Sequence, residues 1–299
     1  MLDGTYRIGP QVRFTVYEPK RREVIAMRFR DRQVHQSLLQ NYLAAEISRH
    51  FIYDNAAGQK GRGPDFALRR IRAMLEKAYR LHGRNVYVYT YDIKNFFGST
   101  RHEVAKAAIQ KRVRDEWACQ IVCNLIDSFD GDVGIGLGSD IAQYIELATL
   151  DDLDHYIKEQ LHVRFYVRYM DDFVIITSGK ENAREYRAAI EQELEKIGLK
   201  LHPKKCHVVP AGRGFKWLGY KIRQTHTGKI IMTLDKQKII HERRKLKRMV
   251  RLVKQGCLPK ETPDRSLQSW EAHAKHGNNY RIICKMHQYY QNLWRNTNV

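Results

Sequence analysis

Val167-Arg168-Tyr169-Met170-Asp171-Asp172-Phe173-Val174-Ile175-Ile176 sets two adjacent carboxylates between two apolar stretches. Both flanks are rich in β-branched and aromatic residues, so each reads as a strand, and Met170-Asp171 as the tight turn joining them. Upstream, Val86-Tyr87-Val88-Tyr89-Thr90-Tyr91-Asp92 reads as a buried strand that also ends on a carboxylate. Acids at the ends of buried strands lose hydration, and something must compensate. Adjacent aspartates can simply cap a β-turn, where Asp is favoured anyway. A pair of divalent cations would also compensate, because hard oxygen ligands suit Mg²⁺. Two ions held this way can activate a 3′-hydroxyl and stabilise a departing pyrophosphate in line.

The 299 residues carry 53 Lys+Arg against 33 Asp+Glu, a formal net charge of +20. So basic a chain is expected to meet a polyanion, nucleic acid first, with a basic solubility surface as the alternative. No apolar run is long enough to cross a bilayer, and Met1 to Pro10 has no signal-peptide pattern. The five cysteines, Cys119, Cys123, Cys206, Cys257 and Cys284, are odd in number and form no C-x-x-C. Neither a disulfide framework nor a zinc knuckle is expected, and a reducing cytoplasm fits.

Residues 11–29 read as a β-hairpin broken at Glu18-Pro19-Lys20, followed by a helix from about Asp31. A glycine-bearing loop spans Asp54 to Pro64, and a basic helix runs from Asp65 to about His82. Beyond the Val86 strand, a helical block covers roughly 101–128, and Gly134 to Ser139 form a turn. The spacing predicts helices over 140–161 and 180–197, a strand over 199–209 and a hairpin over 214–223. The rest reads as basic helix, from about Leu234 to Lys254 and from Ser266 to Trp294.

Together, Tyr169-Met170-Asp171-Asp172 between apolar strands and Tyr91-Asp92-Ile93-Lys94-Asn95-Phe96-Phe97 before them resemble the paired signature of the reverse transcriptase palm. The resemblance runs along nearly the whole chain. Glu18 to Ile25 and Phe29 to Val34 resemble the first finger motifs, and Tyr53 to Gly61 a glycine-bearing loop of the family. Gly134 to Gln143 is similar to its template-contacting loop and helix. Leu201-His202-Pro203-Lys204-Lys205-Cys206 and Phe215-Lys216-Trp217-Leu218-Gly219-Tyr220 resemble the motifs leading into the thumb. Ser269-Trp270-x-x-His273-Ala274-Lys275 is similar to the thumb of bacterial retroelement enzymes, especially those of diversity-generating retroelements, and the chain as a whole also has a retron-like character. Three positions depart from the pattern: Gly136 stands at a Pro position, Ala142 at a Ser position and Leu147 at an Asn position. The N-terminal extension of many relatives is absent, so Met1 is expected to be an internal or shortened start.

The resemblance implies an α+β, right-hand polymerase fold: fingers over 1–85, a palm of antiparallel sheet and helices over 86–225 with an inserted helical block, and a basic helical thumb over 226–299. It implies an RNA-directed DNA polymerase that transfers nucleotides from dNTPs to a primer 3′-hydroxyl by two-metal chemistry, using Mg²⁺ with Mn²⁺ as a substitute. Asp92, Asp171 and Asp172 would be catalytic and bind the metals, with the Ile93 backbone as a further ligand. Arg22, Arg30, Phe97 and Gln143 would meet the nucleotide, guanidinium forks matching phosphate. Phe97 would exclude the ribonucleotide 2′-hydroxyl, or else only pack the core. Lys204, Lys205, Gly219, Arg243, Arg244, Arg248 and Arg251 would meet nucleic acid, the arginines tracking the duplex backbone. The implied partners are an RNA template and a DNA or RNA primer, with a non-coding RNA and an accessory protein as further candidates, and no membrane.

The setting stays open between diversity-generating elements, retrons, group II introns and phage-defence enzymes, the last making DNA from a dedicated non-coding RNA or without an exchanged template. A nucleic-acid-binding protein with an inactive palm is disfavoured by the three intact aspartates. A metal nuclease is disfavoured by the lack of a second acidic or histidine cluster. No nuclease or integrase pattern is visible, so strand removal and integration are expected to come from elsewhere.

Overall fold

A computed structural model describes residues 6–17 and 21–295. The expected break at Glu18-Pro19-Lys20 lies outside the described residues. The chain forms two compact units, Met1–Ile71 with Val88–Val208, and Arg72–Tyr87 with Val209–Val299. Helices and separate antiparallel pairings share the chain, the α+β class expected.

The first unit opens on strands β1 (Val12–Val16) and β2 (Arg22–Ala26), paired antiparallel with Val12 opposite Ala26 and Val16 opposite Arg22. Helix α1 (Phe29–Leu38) begins two residues before the expected start and continues through a π-helical stretch, Leu39–Leu43, into α2 (Ala44–Ser48). Its buried stripe is Val34, Leu39, Leu43 and Ile47. Helix α3 (Pro64–His82) starts on a proline, whose missing N–H costs nothing at a first helical position. It ends at Gly83, whose φ of 58° makes the left-handed exit that glycine tolerates best.

Next come β3 (Val86–Asp92), the single-turn α4 (Phe96–Ser99), α5 (His102–Gln110) and α6 (Glu116–Asp127). The Asp115 carboxylate caps α6 by accepting from the Ala118 amide at 2.7 Å. Ile109, Val122, Leu125 and Ile126 from this block share one core with Leu43, Ile47 and Ile145.

The helix expected over 140–161 is broken. Helix α7 (Asp140–Thr149) stops at Leu150, and α8 (Asp151–His155) restarts and passes into a π-helical stretch, Tyr156–Gln160. Two local causes act together. The Thr149 hydroxyl bonds back to the Ile145 carbonyl at 2.9 Å, which bends helices. Asp151, Asp152 and Asp154 then put three acids in a first turn, where the helix dipole favours them.

Strands β4 (Phe165–Tyr169) and β5 (Asp172–Ser178) form the expected hairpin, with Tyr169 opposite Asp172. Helix α9 (Ala183–Lys196) follows, then β6 (His207–Pro210). The sheet order is β4-β5-β3-β6. The strand expected over 199–209 is therefore mostly not a strand. Pro203 cannot donate to a ladder, and the chain turns there, with the Lys205 amide bonding the His202 carbonyl at 3.3 Å.

In the second unit, β7 (Phe215–Trp217), β8 (Tyr220–Gln224) and β9 (Ile230–Leu234) form an antiparallel sheet. Strand β9 was not expected, although Ile230, Met232 and Leu234 bury every second side chain. Helices α10 (Lys236–Lys254), α11 (Glu261–Ala274) and α12 (Tyr280–Arg295) complete the unit. The continuous helix expected over 266–294 breaks at Gly277-Asn278-Asn279, because these residues pair with β9. The Asn278 amide donates to Met232 O at 2.6 Å, and Asn279 Oδ1 accepts from the Leu234 amide at 2.9 Å. Asn279 Nδ2 also donates to Ala274 O at 2.9 Å, capping α11.

Asn279 is fully buried, so Asn279→Ala leaves the Leu234 N–H without a partner and the Ala274 carbonyl with only the longer bond from the Gly277 amide, at 3.3 Å. The expected loss is about 1–3 kcal/mol of unfolding free energy. Urea denaturation should show it as a lower midpoint.

Candidate active site

The end of β3 is where the chain begins to gather chemistry. Asp92 is 6% exposed. Beyond it Asn95 takes a φ of 47°, a left-handed conformation that short polar residues tolerate, and the chain turns into α4. Phe96 faces the core, while Phe97 is half-buried beside it, with the rings edge to face at 5.9 Å. The β4–β5 turn lies alongside, the Ile93 amide donating to Asp171 O at 3.3 Å. On the other side the Lys200–Lys205 segment crosses the strand end, with Lys94 N bonding Lys200 O at 2.9 Å and His202 N bonding Asp92 O at 2.7 Å. The turn at Pro203 then points Lys205 back.

A cavity of about 530 Å³ opens here, lined by Arg21, Arg22, Ala57, Gly58, Asp92, Ile93, Asn95, Phe96, Phe97, Leu137, Gln143, Tyr169, Met170, Asp171 and Lys205. Seven residues singled out in the sequence thus share one space: Arg22, Asp92, Ile93, Phe97, Gln143, Asp171 and Lys205. Asp172 stands behind them, in the electrostatic reach of both Asp92 and Asp171. Arg30 lies elsewhere, donating to Arg7 O at 3.0 Å and lying 3.3 Å from Asp31. Lys204 is exposed, its amide on His202 Nδ1. Gly219 belongs to the second unit, where Leu218 and Gly219, both at positive φ, make the two-residue turn between β7 and β8. On α10, Arg244, Arg248 and Arg251 are exposed on one face, whereas Arg243 is half-buried with its guanidinium 5.2 Å from the Tyr289 ring centre.

Charge explains the arrangement. Lys205 Nζ reaches both Asp92 oxygens, at 2.8 and 2.7 Å. Burial works against the ammonium, but its bond to Asp92 and the charges of all three aspartates hold its pKa above the ordinary lysine value. Burial raises the Asp171 carboxyl, with the Asp92 charge adding to it and Lys205 and Arg22 opposing. Asp172 is pushed up to about 7 by burial, then by the charges of Asp171 and Asp92. Three carboxylates therefore crowd a desolvated strand end against one ammonium ion. By chemistry this donor set fits a hard divalent cation. The side chains are not gathered around one point: among the described residues no three His, Cys, Asp or Glu groups form a ready cluster.

Several contributors were not singled out in the sequence. Arg21 and Asn95 line the cavity, and Lys205, expected to meet nucleic acid, is the partner of Asp92. Gly58 has a φ of 69°, and a Cβ there would come within 2.6 Å of Leu147 Cδ1. The loop can press against α7 only as glycine, and the Leu147 departure supplies the surface it presses on. Gly136, the other departure, sits where a Cβ would meet the Phe129 ring at 2.3 Å. Nothing in the local sequence points to Glu146. It is fully buried on α7, accepts from the Thr100 hydroxyl at 2.9 Å, and leaves Oε1 without a partner. Burial raises its pKa to about 8; the Thr100 bond opposes this and the Asp171 charge adds to it.

The family model described as reverse transcriptase (RNA-dependent DNA polymerase) matches residues 25–222. Comparison with curated protein sequences finds no match. Among solved structures the chain is similar to apo telomerase from Candida tropicalis, at 14% identity and a TM-score of 0.53, over 76% of this chain and 49% of that one. It is also similar to telomerase from Candida albicans in complex with the TWJ fragment of telomeric RNA, at 10% identity and a TM-score of 0.54, over 98% of this chain and 61% of that one. The likeness shows the polymerase fold, and this chain spans less than two thirds of the length of either.

A neutral Glu146 gives a signed expectation. Its folded pKa of about 8 lies above the ordinary glutamate value of 4.5, so the folded state holds the extra proton between them. Stability falls as pH rises through that window, by up to about 1.4 kcal/mol per pH unit. Glu146→Gln keeps the neutral shape. Thermal unfolding should show the variant equal to the wild type at pH 4.5 and increasingly more stable towards pH 8.

Proposed function

The chain belongs to the reverse transcriptase (RNA-dependent DNA polymerase) family, and on that footing we propose that it copies an RNA template into DNA, extending a DNA or RNA primer from dNTPs. The observation that carries this reading is the shared cavity, in which Asp92 and Asp171 stand with Phe97, Gln143 and Arg22. Two Mg²⁺ ions, for which Mn²⁺ can substitute, would be held by Asp92, Asp171, Asp172 and the Ile93 backbone; when bound they supply the Lewis acidity that activates the primer hydroxyl and offsets charge on the departing pyrophosphate.

The chain's own residues do the rest. Arg22 draws the triphosphate in, its guanidinium matching phosphate oxygens. Arg21 adds a second cation on the same wall. Phe97 faces the nucleotide sugar and leaves no room for a hydrated 2′-hydroxyl. Gln143, exposed on α7 and lining the cavity, meets the nucleotide or template. The proposed division is fingers over 1–85, palm over 86–225 and thumb over 226–299. In that thumb Arg244, Arg248 and Arg251 contact duplex phosphates, while Arg243 serves chiefly to pack α10 on Tyr289. Gly219 supports the primer end, and Lys204 meets nucleic acid.

The setting proposed is a prokaryotic retroelement, supported by the Ser269-Trp270-x-x-His273 pattern, with a non-coding RNA and an accessory protein as partners. The departures at Gly136, Ala142 and Leu147 leave the subgroup open, and the alternative use of the same chemistry is antiviral DNA synthesis from a dedicated RNA or without an exchanged template. Sequencing the product made in cells separates the two.

Asp171→Asn should abolish dNTP incorporation on a primed RNA template, a loss on the order of several kcal/mol of transition-state stabilisation. Its melting temperature should not fall, because the lost charge is one that burial disfavours. Full activity in this variant would sink the assignment. Phe97→Ala should lower the ratio of kcat/KM for dNTP over rNTP on one primer and template, the ratio that reports transition-state discrimination. If both activities fall together with the ratio unchanged, Phe97 is a packing residue.

A further inference from the structure

Arg168 directly precedes the Tyr169–Asp172 turn and is completely enclosed, as is its partner Asp154. Arg168 Nε and Nη2 meet the two Asp154 oxygens at 2.7 and 2.6 Å. The Tyr166 hydroxyl donates to the same carboxylate. Burying an ion pair so thoroughly does not by itself stabilise a fold, since apolar residues of similar volume serve as well or better. The remaining bonds show what the pair is placed to do. Arg168 Nη1 donates to Met170 O at 3.1 Å, and Nη2 to Leu147 O at 3.3 Å. The Arg168 backbone holds a third segment, its N–H on Asp54 O at 3.1 Å and its carbonyl accepting from Ala56 N at 2.8 Å.

Each tethered segment lines the cavity, through Met170 and Asp171, through Gln143 on α7, and through Ala57 and Gly58. The turn needs such a hold. Of its two loop residues only Met170 has a positive φ, 55°, at a position where hairpins ordinarily use glycine. A methionine there is strained by about 1–3 kcal/mol and persists only if its surroundings fix it.

We propose that Arg168, clamped by Asp154, is a positioning residue for nucleotidyl transfer: it fixes the Met170 carbonyl, and so sets the Asp171 and Asp172 carboxylates against the Ala57-Gly58 loop and α7. The inference rests on the polymerase reading. Arg168→Lys keeps a cation beside Asp154, but one ammonium cannot replace a planar fork that spans three partners. Its kcat should fall on the order of 100-fold, the scale of a small misplacement of reacting groups, with KM for dNTP held within about threefold. Amide exchange over 169–173 should speed by about tenfold while that of α10 to α12 stays unchanged. Adding Met170→Gly to Arg168→Lys should restore about tenfold in kcat, because glycine holds a positive φ unaided.

The apolar replacement Arg168→Met, Asp154→Leu, Tyr166→Phe covers the case in which Arg168→Lys does not fold. It should still unfold cooperatively, although the Met170 and Leu147 carbonyls each lose a donor, and lose the same kcat. Wild-type kcat in this replacement, unchanged exchange at the turn, or no gain from Met170→Gly would overturn the proposal. A wild-type chain that incorporates no nucleotide would defeat the polymerase reading alone, and the exchange measurement would still decide whether Arg168 holds the turn.

Discussion

A carboxylate at the end of a buried strand gives up its water and must be offered something in return. Asp92 meets this constraint first, and much of the first unit is arranged around it. The Pro203 turn exists in a stretch that would otherwise continue as strand, and it delivers Lys205 to both Asp92 oxygens. The left-handed Asn95 bends the chain away before the apolar run can bury the acid further. Asp171 and Asp172 then arrive from the neighbouring hairpin, and their repulsion is only partly offset by Lys205 and Arg22. An excess of desolvated negative charge beside an open cavity is a poor way to stabilise a fold and a good way to receive cations and a triphosphate.

Behind the cavity the protein avoids adding to that excess. Glu146 points into the same region from α7, but burial keeps its proton on through neutral pH. Arg168 and Asp154 cancel each other's charge completely inside the fold. The free positive charge is carried instead on exposed faces such as that of Arg244, Arg248 and Arg251.

The parts legible in the sequence are those encoded by neighbours along the chain. Val86–Asp92 and the hairpin around Asp171 announce themselves by apolar runs ending in acid, and Gly83 announces the end of α3. The second-unit strand Ile230–Leu234 is equally legible by its alternation, although the expected hairpin ends at 223 and the expected helix begins at about Leu234. What was not legible depends on partners far along the chain. Nothing local says that Lys205 will sit on Asp92, that Glu146 will be sealed beside Thr100, or that Asn279 will interrupt a helix to pair with Leu234. The same holds for Arg30 and Arg243: their type suits phosphate, but Arg30 turns to Arg7 and Asp31, and Arg243 to Tyr289. Type and spacing placed the acids; only packing could sort the arginines.

The central claim is that Asp92, Asp171 and Asp172 act together as a receptor for hard divalent cations, with Lys205 holding the place of part of that charge. Titration with Mn²⁺ followed by electron paramagnetic resonance tests this without requiring template, primer or turnover. The account predicts saturable Mn²⁺ binding by the wild-type chain that is lost when Asp92, Asp171 and Asp172 are all replaced by Asn, with the fold intact by circular dichroism. Binding of equal stoichiometry in the triple variant, or none in the wild type, would contradict it.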